Sequence, residues 1–189
     1  MGMEAPTLEQ LEEELKREQN KNSIRHLIRN TVFFLLVVAA VAVLTEVLFL
    51  PTVRIDGISM EDTLKDGDIV VVRRGAEYSI GDIVAFHYNN DILVKRVIAL
   101  EGDFVEIDGE GNVSVNGEVL EESYVSKKDQ GECDIAFPCR VPDGKVFVLG
   151  DNRPVSVDSR NSGIGFVDRD RVIGRAAARV WPFRKFGVT

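Results

Sequence analysis

The 189 residues leave room for one anchor and one globular domain. A hydrophobic content of 44% fits an ordered core, while a net charge of −8 without any basic patch argues against nucleic acid as a partner. Only two histidines occur, His26 and His87, and no phosphate-cradling, dinucleotide or zincin motif is present, so neither a metal nor an organic cofactor is expected.

Residues 1–30 read as a charged, helical cytoplasmic tail. Leu8, Leu11 and Leu15 recur at helical spacing, and Glu12–Lys16 and Glu13–Arg17 stand four residues apart, as in a solvated amphipathic helix. Residues 31–50 read as a transmembrane anchor. Val32 to Leu44 is unbroken apolar sequence, and Val47 to Leu50 continues it past Thr45 and Glu46. The whole run is roughly 20 residues, or about 30 Å of helix, matching a bilayer core. Glu46 lies near the outer end, within reach of the headgroups. Arg25, His26 and Arg29 precede the run, which places the N-terminus in the cytoplasm and everything after Pro51 outside, in a single-pass arrangement. The rival reading, a cleaved secretory signal, lacks an A-x-A-like site, because Pro51-Thr52-Val53 is a poor cleavage context.

Residues 51–189 read as a β-rich extracytoplasmic domain. Strands are predicted over Asp68–Arg73, Ile83–His87, Leu93–Ala99, Phe104–Ile107, Val113–Val115, Val119–Leu120, Val146–Leu149 and Val172–Val180. Asp108-Gly109-Glu110-Gly111 is a hairpin signal, and residues 102–142 are expected to form a smaller β-hairpin subdomain. Many short strands punctuated by Gly, Asp and Asn give a mostly β fold, an antiparallel sheet or barrel-like domain behind one transmembrane helix.

Within this domain Ser59 and Lys95 carry the chemistry. A serine hydroxyl is a weak nucleophile and needs a base beside it. Gly57 removes bulk next to Ser59, so a substrate backbone has room to approach. Lys95 interrupts an apolar run, sharing a strand face with Leu93 and Val97. Burial lowers a lysine pKa, and a neutral amine accepts the proton that an ammonium cannot. A Ser59–His87–Asp triad is the enzymatic rival, although His87 precedes a turn-like Tyr88-Asn89-Asn90-Asp91. Downstream, Cys133 and Cys139 bracket a short loop and are expected to form a structural disulfide, the alternative being two free thiols. Gly150 to Arg160 is a dense polar loop after a strand, in which Ser156 is placed to orient the lysine amine and Asp158 to pair with Arg96 or Arg160. Trp181-Pro182-Phe183 and Phe186, beside Arg184 and Lys185, are either a membrane-surface patch or packing at a domain edge.

Three segments together resemble the bacterial type I signal peptidase family: Ser59-Met60 with Thr63-Leu64, Lys95-Arg96-Val97-Ile98 with Gly102-Asp103, and Gly150-Asp151-Asn152-Arg153 with Ser156, Asp158, Ser159 and Arg160. The resemblance implies a membrane-bound serine endopeptidase that removes signal peptides from secretory preproteins after small residues (A-x-A). It assigns Ser59 as nucleophile, Lys95 as general base, Ser156 as the partner of Lys95, and Asp158 as a brace through Arg96 and Arg160. The Ser59 N–H would stabilise the oxyanion, and Asp56, Gly57, Ile58 and Phe86 would flank an extended substrate. Asp62 stands where the family commonly has proline, and Gly57 where some members carry a second oxyanion donor. The rival from another class is a membrane-anchored β-domain that binds extracellular partners without catalysis. A self-cleaving repressor-type peptidase shares the dyad but would need a DNA-binding motif, which the chain lacks.

Overall fold

Residues 8–49 and 51–188 are described by a computed structural model. The chain divides into two compact units, residues 1–49 and 50–189. The first is a single helix, α1 (Leu8–Phe49), with neither glycine nor proline to interrupt it. Within it Ile24–Leu44 has a mean hydropathy of 2.4 and is exposed along its length, and this segment is long and apolar enough to cross a membrane. The side chains of Leu8, Leu11 and Leu15, the Glu12 and Glu13 pairs, the position of Glu46 and residue Leu50 lie outside the described residues.

The second unit is antiparallel throughout. Its strands are β1 (Thr52–Arg54), β2 (Ile69–Arg74), β3 (Ile83–Tyr88), β4 (Asp91–Ala99), β5 (Phe104–Ile107), β6 (Val113–Val115), β7 (Glu118–Val119), β8 (Cys139–Arg140), β9 (Lys145–Leu149), β10 (Val167–Asp168), β11 (Val172–Trp181) and β12 (Gly187–Val188). The larger sheet runs β1-β2-β11-β3-β4-β9-β10, with β12 on β11, and the smaller runs β7-β6-β5-β8. Every strand expected from the sequence is present to within a residue or two. The short β1, β8, β10 and β12 were not expected, because two or three residues carry no readable alternation.

The position of β4 decides the chemistry. It lies between β3 and β9, and every residue from Val94 to Ala99 is buried. Three apolar clusters meet on it: Val94 packs with Met60, Leu64 and Ala85, Val97 with Phe86 and Val148, and Ile98 with Val105 and Leu149. The last of these joins the smaller sheet to the larger. A lysine inside such a strand is stripped of water on all sides.

One expectation is corrected here, and one open alternative is narrowed. Cys133 and Cys139 are free thiols. Cys139 packs at the edge of an apolar cluster, where burial and the neighbouring Cys133 raise its pKa, and the Cys133 Sγ donates to the Ile135 carbonyl. Both act as small, weakly polar packing groups. The C-terminal aromatics are not core: Trp181 and Phe183 meet edge to face at 5.1 Å, and with Phe186 they stay exposed.

Candidate active site

Ser59 stands on a turn whose neighbours are pinned below it. Met60 is 1% exposed and Leu64 0%. Both sink into the apolar core and hold the turn, closed by Leu64 N–H donating to the Met60 carbonyl at 2.8 Å. Gly57, two residues before Ser59, adopts φ +97°, a conformation open to glycine. Its N–H donates to Asp66 Oδ1 at 2.7 Å, which fixes the approach to the nucleophile. Among the described residues the Ser59 N–H itself has no hydrogen-bond partner.

Lys95, 3% exposed, rises from β4 to meet it. Lys95 Nζ and Ser59 Oγ share a hydrogen bond of 2.6 Å. Burial lowers the Lys95 pKa to about 8; Asp158 opposes that shift, Arg160 adds to it and Asp151 opposes it again. At neutral pH about a tenth of such an amine is unprotonated, against a few parts in ten thousand for an ordinary lysine.

The loop after β9 clamps the nucleophile segment from the other side. Asn152 N–H donates to the Ser59 carbonyl at 3.0 Å, and Asn152 Nδ2 to the Ile58 carbonyl at 3.0 Å. Gly150 makes this approach possible: a Cβ there would lie 2.5 Å from the Ser59 carbonyl oxygen and collide with Ser156 Oγ. Gly150→Ala is therefore expected to displace Ser59 and to lower kcat by on the order of 100-fold, because small misplacements of reacting atoms are that costly. The check is kcat of the purified variant alongside its far-UV spectrum. Near-normal turnover would mean the loop does not position Ser59.

Beneath the dyad lies a buried ionic framework. Asp158 is bidentate to Arg160, with both contacts at 2.8 Å, and accepts from the Gly150 N–H at 3.0 Å. Arg160 Nη2 reaches the Arg153 carbonyl at 2.9 Å and the Ser156 carbonyl at 3.3 Å. Arg96 pairs with Asp151 through contacts of 2.9 and 2.6 Å, and Asp151 also accepts from the Thr63 hydroxyl. The Arg96 guanidinium lies 3.9 Å above the Tyr124 ring, and Arg153 is bidentate to Glu122. Burial, then Glu122, pushes the Tyr124 hydroxyl pKa well above its ordinary value.

The structure brings Ser59, Lys95, Ser156, Asp158, Arg96 and Arg160 together, but two of them, Arg96 and Ser156, do not make the contacts expected. Arg96 pairs with Asp151, not Asp158, because Asp158 is saturated by Arg160 two residues on in the same loop. Ser156 Oγ is buried without a hydrogen bond, so its expected bond to Lys95 is not made. The Lys95 amine is engaged by Ser59. Phe86 does not face a substrate: it is 1% exposed, because β3 is an interior strand covered on both faces. His87 is exposed on β3 and lies outside the groove containing Ser59, so no triad forms. Asp56, Gly57 and Ile58 do line that groove, of about 350 Å³, together with Leu93 and Lys95. Asp151 could have been found from its place in the polar loop. Glu122 and Tyr124 sit in no motif and gave no local signal.

Comparison with known proteins places these residues in context. Residues 27–181 match the family model described as signal peptidase, peptidase S26. The chain is 39% identical over 152 residues to signal peptidase IB of Staphylococcus aureus, covering 70% of this chain and 78% of that one. It is 37% identical over 143 residues to probable signal peptidase I-2 of Synechocystis sp., covering 69% of this chain and 62% of the other. Among solved structures, a signal peptidase I from Enterococcus faecalis V583 matches with 31% identity and a TM-score of 0.46, covering 54% of this chain and 98% of that one.

Proposed function

The chain belongs to the signal peptidase family, peptidase S26, and on that premise we propose that Ser59 and Lys95 perform the cleavage. As a member of this family it is a serine endopeptidase that removes signal peptides. The observation that carries the assignment is the 2.6 Å hydrogen bond between Ser59 Oγ and the buried Lys95 Nζ.

In the proposed reaction, neutral Lys95 takes the Ser59 proton as Oγ attacks the scissile carbonyl. The carbonyl oxygen becomes an oxyanion and accepts from the Ser59 N–H. Lys95 then gives its proton to the departing amine, the C–N bond breaks, and an ester on Ser59 remains. Water attacks that ester with Lys95 again as base, releasing the acid and restoring the serine. Asp158, Arg160, Asp151 and Arg96 touch no reacting atom; they hold the loop and β4 that carry the dyad.

The substrates of this reading are secretory preproteins cut after small residues in an A-x-A context. Residues 1–30 form the cytoplasmic tail, 31–50 a single membrane span and 51–189 the extracytoplasmic peptidase domain, with 102–142 as its smaller part. The exposed Trp181, Phe183 and Phe186 would rest on the bilayer surface.

The test is cleavage of a preprotein whose signal ends in A-x-A by the detergent-solubilised full chain across a pH series. The expected product begins directly after the second alanine. The Lys95 pKa is lowered to about 8, and the base works only when neutral, so kcat/KM should be low at pH 6 and rise through about 8. Absence of cutting by folded protein, or a rate that falls over that interval, would defeat the proposal.

A further inference from the structure

The groove that holds the dyad is not uniform along its length. Close to Ser59 and Lys95 its walls are apolar, formed by Ile58, Leu93, Val155, Val157 and Ile164. Two carboxylates line it as well: Asp91, four residues before Lys95 on β4, and Asp56, three before Ser59. Asp91, Leu93 and Lys95 lie on one face of β4, so they form a row leading from the groove end to the base. Asp56, Gly57 and Ile58 line the same groove and precede the nucleophile in the chain.

Strand rise sets the scale. Four residues of β4 span about 13 Å, the length of four residues of an extended peptide. A substrate strand lying in this groove thus brings the side chain about four positions from its scissile bond level with Asp91. Asp91 is exposed and has no ion-pair partner among the described residues, and Asp56 has only a loose contact of 3.5 Å with an equally exposed Arg54. A third carboxylate, Asp66, sits behind them against the Gly57 N–H. Among the described residues Lys95 is the one cation that lines the groove with them, and it is buried.

We propose that Asp91, assisted by Asp56, selects a basic residue about four positions before the scissile bond. The inference rests on the Ser59/Lys95 reading and on the signal-peptide side of the substrate occupying this groove as an added strand. Apolar walls near the dyad then accept the small residues next to the cut, and the acidic end attracts a cation while repelling an anion. An exposed pair contributes modestly, so the effect is one of ranking among substrates.

The test uses the full chain in detergent and three preproteins that differ only in carrying Lys, Ala or Glu four residues before the cut. In low salt kcat/KM should rank Lys above Ala above Glu, with a Lys-to-Glu ratio of roughly tenfold that shrinks as ionic strength rises. The double variant Asp56→Asn/Asp91→Asn should bring the ratio close to one, and Asp91→Lys should invert it. The same substitutions four residues after the cut should make no difference. Equal rates for the three substrates, a ratio that survives the double variant, or a preference found only after the cut would overturn the inference while leaving the dyad intact. If wild-type protein cut none of the three, the dyad reading would fall together with this one.

Discussion

Lys95→Ala is expected to lower kcat/KM for preprotein cleavage by roughly 10³- to 10⁴-fold, with little change in thermal stability. The reasoning starts from proton inventory. Ser59 Oγ has one neighbour able to take its proton, Lys95 Nζ at 2.6 Å. Removing the amine leaves water as the base, and the loss should fall on kcat, since the amine contributes little to holding a substrate. Lys95→Arg should be as inactive as the alanine variant, because a guanidinium keeps its proton at every working pH. Stability is expected to hold because a buried amine costs desolvation whichever form it takes. Rates within tenfold of wild type for either variant would remove Lys95 from the mechanism.

Asp151→Ala is expected to be the most destabilising single change at the site, by about 3–5 kcal/mol. Asp151 is 1% exposed and accepts twice from Arg96 and once from the Thr63 hydroxyl. Truncating it leaves the Arg96 guanidinium without its counter-charge, and among the described residues the Gly81 carbonyl at 2.7 Å, the Thr63 hydroxyl at 3.5 Å and the Tyr124 ring still engage it. An unfolding midpoint lower by about 10 °C should accompany this loss in a domain of this size. The companion Asp151→Ala/Arg96→Met removes both charges and should recover part of the stability, because the penalty lies in the orphaned cation. Thermal unfolding of the four proteins in the cycle decides the matter. A single variant that melts with the wild type, or a double variant that loses the sum of both single changes, would show that the pair does not brace the fold.

The two predictions differ in how visible they were from the sequence. Lys95 announced itself as a charge inside an apolar run, and the structure keeps it there, between β3 and β9. Asp151 stood in a loop with one other acid, Asp158, as a plausible partner for Arg96 and Arg160. Its pairing follows from the path of the loop: Asp158 and Arg160 are two residues apart and satisfy one another, which leaves Arg96 to the acid at the start of the loop. Phe86 misled for a related reason. It follows Ile83, Val84 and Ala85 in a strand whose first four residues are all buried, where alternation no longer separates an inner face from an outer one. Glu122 and Tyr124 were invisible because the residues they serve are distant in the chain; Arg153 is 31 positions from Glu122.

Local chemistry, then, was decided by the amino-acid sequence alone. It determined one long apolar helix, a domain of short antiparallel strands, a serine after a permissive glycine, a lysine among core residues and a polar loop following a strand. These depend on side-chain type and periodicity over a few residues, which a linear chain carries intact. Tertiary structure decided who meets whom. It seated Ser59 against Lys95 and matched each arginine to its acid. It kept Ser156 Oγ unbonded and the two cysteines unpaired, and it turned Asp56 and Asp91 into the same groove. Such outcomes depend on distances between segments tens of residues apart, and only the packing of sheets around a shared core sets those distances.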